Sequence, residues 1–428
     1  MLFLYNLVLP VLLAAARVMA WFNPKVARGL AGRRAATVEL RDHYSKPAIG
    51  NPRLLCHVAS YGELEQAKPV ISELRRSYPN IHIHLTFFSP SGYENVVGKY
   101  EEVDVISYLP LDLRADVSSF LDLTKPDLVL FARYDVWPNF AAELARRKTP
   151  TILFSATASN SSRRMLPLVS GLLRRTYSGL TKLLTISEAD KAVFTRMGVP
   201  AEKIAAAGDT RFDQVVTRKE RVARAEGVLP DGIVTDLQEK GTLVFVMGSA
   251  WPEDEAIIRA SIQQSIERGD NILAIVVPHE PTDANVRDLL ADYPQKAIRF
   301  SELSNYQRQP IIIVDSIGKL FGLYRYADIA MIGGGFGAGV HNVLEASVWG
   351  VPVIVGPNHR KSQEVQRLID SLAAFEVGNA KEFDFAFWQL VVSEDLRSGT
   401  GEKGQRFVEA QCGATHRIMN EITSVLST

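Results

Sequence analysis

A chain of 428 residues is long enough for two domains of ordinary size, and an apolar share of 46% beside a charged share of 22% allows each a large core. Its 48 basic side chains balance 48 acidic ones, so no global basic field draws it onto nucleic acid, which is not expected as a partner. Two cysteines, Cys56 and Cys412, lie far apart in sequence; that excludes a disulfide framework or a zinc set and suits a reducing compartment.

The first informative segment is residues 2–22, LFLYNLVLPVLLAAARVMAWF, interrupted strongly only by Asn6 and Arg17. A full membrane span needs roughly 20 apolar residues, so this stretch is borderline, with Pro10 in its middle. Arg17 can snorkel to headgroups, and Trp21 and Phe22 suit an interfacial belt. Lys25, Arg28, Arg33 and Arg34 follow at once; basic residues there hold the protein body in the cytoplasm and attract anionic lipid. The rival readings are a cleaved signal peptide, with the alanine run 14–16 as its cleavage-like site, and a buried helix. No Lys or Arg precedes the apolar run, which counts against the signal peptide.

From residue 50 short apolar runs alternate with amphipathic stretches. Strands are expected at 54–58, 81–88, 128–131, 151–154 and 183–186, with helices such as 62–77 and 139–147 between them. Residues 214–240 break the rhythm with a charged run and Pro230-Asp231-Gly232, and read as a linker. Strands resume at 242–247, 272–277, 310–314, 329–332 and 351–355, followed by helical stretches at 383–392 and 406–426. Alternation at this spacing implies two parallel sheets covered by helices, with ligands at the carboxyl ends of the strands and a cleft between the lobes.

Six motifs occupy such strand ends. His57-Val58-Ala59-Ser60-Tyr61-Gly62-Glu63 opens a helix: Gly62 permits a tight turn with close backbone approach, and the helix dipole favours an ionised Glu63. An ionised carboxylate near a substrate hydroxyl can act as general base, although acids also begin many helices with no further role. Arg133-Tyr134-Asp135-Val136-Trp137-Pro138-Asn139 places Trp137 at a helix cap with Pro138 in the first helical position, and offers Tyr134 and Trp137 as flat faces for a sugar or acyl group, or as core plugs.

In the second half, Gly248-Ser249-Ala250-Trp251-Pro252 precedes three acids at a helix start, where amides and the Ser249 hydroxyl can hold a phosphate or the acids merely cap the helix. Pro278-His279-Glu280-Pro281 also follows a strand. Gly333-Gly334-Gly335-Phe336-Gly337-Ala338-Gly339-Val340-His341-Asn342 runs from a strand through glycines toward a helix, the general design for holding phosphate on backbone amides. Asn342 and Glu345 share a helix face, either as a capping pair or with Glu345 taking two ribose hydroxyls. Gly356-Pro357-Asn358-His359-Arg360-Lys361 supplies positive charge for a phosphate or a sugar carboxylate, or is a solvated loop.

In order, these motifs resemble the 3-deoxy-D-manno-octulosonic acid (Kdo) transferases of Gram-negative lipid A assembly. The resemblance covers nearly the whole chain: the N-terminal anchor, HVASYGE, YLPLD at 108–112, DVWPN, SEAD at 187–190, GDTRFD at 208–213, GSAWPEDE, LYRYADIAMIGGGF and GVHNVLEASVWGVPVIVGP. It implies an α/β GT-B fold of two Rossmann-like lobes, and an inverting transfer of Kdo from CMP-Kdo to a lipid A precursor, lipid IVA, in lipopolysaccharide core biosynthesis. No metal or other cofactor is implied, and the place of work is the cytoplasmic face of the inner membrane. The family's proposed general base falls on Glu63. Its nucleotide contacts fall on Gly248, Ser249, His279, Gly335, His341, Asn342 and Glu345. Arg360 or Lys361 is expected at the phosphate or sugar carboxylate, and Ser60, Tyr61, Arg133, Tyr134 and Trp137 at the acceptor.

The chain departs from the family pattern at Arg133-Tyr134-Asp135-Val136, where a Glu-Xaa-Glu-Leu run is usual, at His279-Glu280-Pro281, which lacks arginines, and at HRKSQE after Pro357. The expected organisation is an anchor at 1–22, an acceptor-binding lobe at 23–215, a linker at 216–240, a nucleotide-sugar lobe at 241–400 and a C-terminal helix near the lobe interface at 401–428. Two other functions fit the pattern: a two-lobed glycosyltransferase or epimerase using a UDP-sugar, and a non-catalytic solute-binding protein.

Overall fold

The computed structural model describes residues 1–46, 50–158, 167–360 and 362–427. The chain divides into two units, one formed by Met1–Gln214 with Gln411–Thr428 and the other by Val215–Ala410.

The first lobe holds seven parallel strands: β1 Arg53–Val58, β2 His82–Phe87, β3 Val105–Tyr108, β4 Leu128–Ala132, β5 Thr151–Ala156, β6 Lys182–Thr185 and β7 Ile204–Ala206. Their order is β3-β2-β1-β4-β5-β6-β7. Both faces are covered, so the strands are continuously buried. Alternate residues serve opposite faces. Leu54, Cys56 and Val58 join Leu64, Ala67 and Ile71 of the helix Tyr61–Ser77, and Ile418 and Ile422 of the helix Ala414–Leu426. Leu55 and Val129 instead pack with Phe120, Phe140 and Leu144 on the other side. A fully buried Leu or Phe contributes roughly 1.5–3 kcal/mol, so these faces account for the cohesion of the lobe.

The second lobe repeats the design with β8 Leu243–Ala250, β9 Ile272–Pro278, β10 Ala297–Arg299, β11 Ile311–Ile313, β12 Ile329–Ile332, β13 Val353–Val355 and β14 Ala374–Glu376, ordered β10-β11-β9-β8-β12-β13-β14. Every pairing in both sheets is parallel. The short strands β3, β7, β10 and β14 were not expected. With three or four residues each, they carry too little apolar periodicity to register in sequence.

The expected linker is helical. Thr210–Arg224 and Asp231–Lys240 are helices, and from Val215 onward they belong to the second lobe. Pro230 caps the latter helix, which buries Ile233 and Leu237, so the turn-like Pro-Asp-Gly is a helix start. At the other end Gly413, with φ +98°, separates Glu394–Ala410 from Ala414–Leu426, and the last helix belongs to the first lobe. Asp213 fastens it there. Its carboxylate accepts from the Gly413 N–H at 2.6 Å and from the Thr415 N–H and hydroxyl at 2.7 and 2.8 Å.

The N-terminal helix Leu2–Met19 is long and apolar enough to cross a membrane by length and composition. Of its residues only Leu9 is buried. Tyr5 donates to Asp112 at 2.8 Å and Asn6 exchanges amide hydrogen bonds with Asn139, so one face is tied to the first lobe. Phe3, Leu7 and Val11, at helical spacing, are exposed. The expected basic collar is thinner than the sequence implied. Arg33 donates to the carbonyls of Gly29, Phe88 and Leu109, and burial pushes its guanidinium down to about 10. Arg28 pairs with Glu94 at 3.0 Å.

Replacing Asp213 with Ala should lower stability by about 2–3 kcal/mol, because a charged cap and its bonds are lost together. Hydrogen exchange should quicken selectively across Ala414–Leu426; uniform exchange through the chain would show that Asp213 does not hold that helix.

Candidate functional site

Strand order reverses direction at one place in each sheet: between β1 and β4 in the first lobe, and between β8 and β12 in the second. In open parallel sheets such a switch point leaves a crevice at the strands' carboxyl ends. The topology therefore brings the His57–Glu63 and Arg133–Trp137 motifs to one crevice, and the Gly248–Trp251 and Gly333–Asn342 motifs to another.

In the first lobe β1 leads through Ser60, the N-cap, into the helix Tyr61–Ser77, which puts Glu63 in its first turn. Glu63 is only 4% exposed and one carboxylate oxygen, Oε2, accepts from the Ala59 N–H. Burial raises its pKa above the ordinary value; the Ala59 bond lowers it, Asp135 raises it, and His57 and Arg133 lower it. The helix start does not win: desolvation outweighs every stabilising contact, contrary to the expectation of a readily ionised side chain.

His57 is fully buried, with Nδ1 3.0 Å from the Thr86 hydroxyl and Nε2 3.3 Å from Asp135 Oδ2. Asp135 was not singled out as a site residue. Its signal was present, since it stands at the head of the strand-end motif after β4, but its partner His57 lies 78 positions away. Arg133 has φ +65° and Ser155, at the end of β5, has φ +49°. Left-handed backbone at such residues costs about 1–3 kcal/mol and clusters where function demands a shape.

Arg133 lies 5.5 Å from the Tyr134 ring, and its Nε is buried with no hydrogen-bond partner among the described residues. Trp137 caps the helix Pro138–Arg147, as its sequence implied, and stacks on Phe88 at 5.2 Å. Tyr61 is exposed beneath Lys68. Gly62 is not sterically required: a Cβ there would meet only the Ser60 hydroxyl, at 4.0 Å.

In the second lobe the glycines at 248 and 335 are explained by close approach. A Cβ on Gly248 would lie 2.0 Å from the Tyr324 hydroxyl, and one on Gly335 would lie 2.5 Å from the Gly356 nitrogen. Ser249, near the end of β8, has φ +53°.

Asp254 organises what surrounds it. It is wholly buried, and it accepts from the N–H groups of Gly334 at 2.6 Å, Phe336 at 3.1 Å and Trp251 at 3.2 Å. Burial still raises its pKa against those three bonds. Five further loop amides are engaged: Gly333 with Gly248, Gly337 and Gly339 with Gly334, Val340 with Asn358, and His341 with Gly333. For Gly333, Gly334, Gly337 and Gly339 the expectation of free amides for a phosphate is thus corrected. The loop holds its own carboxylate, and the helix beyond it, Leu344–Ser347, is a single turn.

Side chains are what the loop offers. The Trp251 ring stacks on His279 at 4.5 Å, and His279 stacks on His341 at 4.6 Å. Trp251 Nε1–H donates to His341 Nε2 at 2.9 Å. Burial, then His279, holds His341 below the ordinary histidine value. Asn342 is exposed and its Oδ1 accepts from the Leu344 N–H at 3.2 Å, as a cap would.

Glu345 pairs with Arg218 at 3.0 Å, and the Arg218 guanidinium lies 4.2 Å from the centre of the Phe321 ring, a partnership the linker reading hid. Arg360 is exposed, Lys361 falls outside the described residues, and His359 is buried against Glu376 at 2.7 Å. Among the described residues no group of three or more His, Cys, Asp or Glu is placed to hold a metal ion.

Residues 32–214 match the family model described as 3-deoxy-D-manno-octulosonic-acid transferase (kdotransferase). A protein named 3-deoxy-D-manno-octulosonic acid transferase from Haemophilus influenzae is 27% identical over 86% of this chain and 86% of its own length. One of the same name from Aquifex aeolicus is 27% identical over 80% of this chain and 88% of its own. Among solved structures, the UDP-GlcNAc 2-epimerase from Neisseria meningitidis bound to UDP-GlcNAc covers 87% of this chain and 100% of its own, with a TM-score of 0.61 at 17% identity. That likeness concerns the fold, the two-lobed GT-B arrangement. The family match over the first lobe and relatives aligned over most of the chain make this protein similar to the 3-deoxy-D-manno-octulosonic acid transferases.

Proposed function

We propose that this protein is an inverting, metal-independent glycosyltransferase that moves Kdo from CMP-Kdo onto a lipid A precursor, lipid IVA, in lipopolysaccharide core biosynthesis. The observation that carries the reading is Glu63. It is a buried carboxylate at a helix start, held through Oε2 while Oε1 has no hydrogen-bond partner among the described residues. That is the state a general base needs: oriented by one oxygen, able to accept a proton at the other, and with its pKa lifted toward working pH.

In the proposed reaction Glu63 takes the proton of an acceptor hydroxyl. The freed oxygen pair attacks the anomeric carbon of Kdo from the face opposite the nucleotide, and the bond to CMP breaks, leaving its charge on the phosphate. Ser60 and Tyr61 precede Glu63 in its motif, Arg133, Tyr134 and Trp137 follow β4 at the same switch point, and these five are the acceptor contacts. Gly248, Ser249, His279, Gly335, His341, Asn342 and Glu345 bind the donor, with Arg360 and Lys361 toward its phosphate or carboxylate. Since most of the loop amides are engaged, hydroxyl, imidazole and amide side chains carry much of that contact. Glu345 reaches ribose already paired with Arg218, which lowers the cost of burying its charge.

The protein works at the cytoplasmic face of the inner membrane. The helix Leu2–Met19 supports this reading, being tied to the first lobe through Tyr5 and Asn6 while Phe3, Leu7 and Val11 face outward.

Three measurements test the proposal. Incubation with CMP-Kdo and lipid IVA should give products heavier by whole Kdo increments, and Glu63→Gln should lower kcat by about 10²–10⁴-fold with CMP affinity unchanged. The acid limb of kcat/KM should lie above the ordinary glutamate pKa, activity falling as pH drops and Glu63 gains its proton. A fully active Glu63→Gln removes the base. Separately, changing Phe3, Leu7 and Val11 together to Ser should shift the protein from the membrane fraction to the supernatant, because each buried apolar side chain is worth roughly 1.5–3 kcal/mol. Unchanged membrane retention would mean that these three residues do not hold it.

A further inference from the structure

Trp251 stands at the N-cap of the helix Pro252–Arg268, and its indole N–H donates to Nε2 of His341 at 2.9 Å. An indole nitrogen can only donate, so His341 must present a lone pair at Nε2, and the proton of the neutral ring sits on Nδ1. His279 stacks on both rings and limits their rotation. The Nδ1–H has no hydrogen-bond partner among the described residues. Both ends of the Trp251–His341 bond are fixed by one carboxylate, since Asp254 holds the Trp251 N–H and the Gly334 and Phe336 amides of the loop that carries His341.

We propose that Trp251 is a positioning residue: by donating to His341 Nε2 it locks the imidazole as its Nδ1–H tautomer and offers that N–H, as a neutral donor, to an anionic oxygen of the sugar nucleotide. This rests on the donor-site reading above. Without the indole N–H the ring is free to carry its proton on Nε2. Nδ1 then turns a lone pair toward the anion, and attraction becomes repulsion. The sequence treats Trp251 only as part of a helix-start motif, because the acceptor of its N–H lies 90 residues on.

The test uses the full chain with 15N-labelled histidine, the His341 signals being assigned by their loss in His341→Asn. Wild type should show Nδ1–H with an unprotonated Nε2. Trp251→Phe, which keeps a stacking ring, should show the proton moved to Nε2. CMP, titrated by calorimetry, should bind Trp251→Phe about tenfold more weakly. In a His341→Asn background, where a side-chain amide supplies the donor, the same substitution should have almost no further effect.

An Nδ1–H signature that survives Trp251→Phe overturns the proposal, and so does an equal loss of affinity in both backgrounds, which is what a merely structural tryptophan gives. Should Trp251→Phe not fold, Trp251→Gln can still donate and should keep more CMP affinity than Trp251→Leu; the reverse order overturns the proposal. A wild-type chain that does not bind CMP sinks the donor-site reading instead, while the 15N spectrum still decides the Trp251–His341 bond.

Discussion

The second lobe depends on one buried carboxylate. Asp254 lies at the third position of its helix, reaches back to the Trp251 N–H, and takes two amides of a glycine loop 80 or more residues away in sequence. Charge-assisted bonds of this kind are roughly twice as strong as neutral ones, and a buried carboxylate with fewer partners would be strongly destabilising. The loop is therefore fixed before any ligand arrives. Its glycines serve mutual approach, Gly335 against Gly356 and Gly333 against the Ser249 carbonyl, so that three strand ends pack within van der Waals distance.

The first lobe uses burial differently. Around Glu63 no contact fully offsets desolvation, and its carboxyl is left above its ordinary pKa. Asp254 shows the same direction of shift with three amide donors. The two acids differ in what remains open. Asp254 is sealed by its loop, whereas Glu63 has one oxygen engaged. Equal burial thus yields a structural anchor in one lobe and a candidate proton acceptor in the other, and the count of satisfied lone pairs decides which.

Much of this was legible in the sequence. The alternation of apolar runs with amphipathic stretches located ten of the strands, and Pro138 and Trp137 marked a helix start that is present. Failures had physical causes. Residues 214–240 read as a linker because charge density and Pro-Asp-Gly outweighed the spacing of Leu229, Ile233 and Leu237, which are buried. The glycine loop read as an amide cradle because nothing local reveals that Asp254 takes two of its amides. Pairs such as His57–Asp135, Arg218–Glu345 and Trp251–His341 join residues 78 to 127 positions apart, and only the topology of a parallel sheet brings them together.

That engagement of the loop has a consequence for recognition. A loop whose amides await a phosphate must keep them solvated until binding, and reorganises when the ligand enters. Here much of the polar backbone is satisfied in advance, and the side chains proposed to meet the donor sit beside that frame: a strained serine, an exposed asparagine and a stacked histidine. Preorganised dipoles of this kind stabilise developing charge without rearranging at the moment of reaction. Most are neutral, so under the proposed reading discrimination falls to geometry, to which ring nitrogen carries a proton and where it points, rather than to gross charge. A frame this stiff is what makes such a geometric criterion physically enforceable.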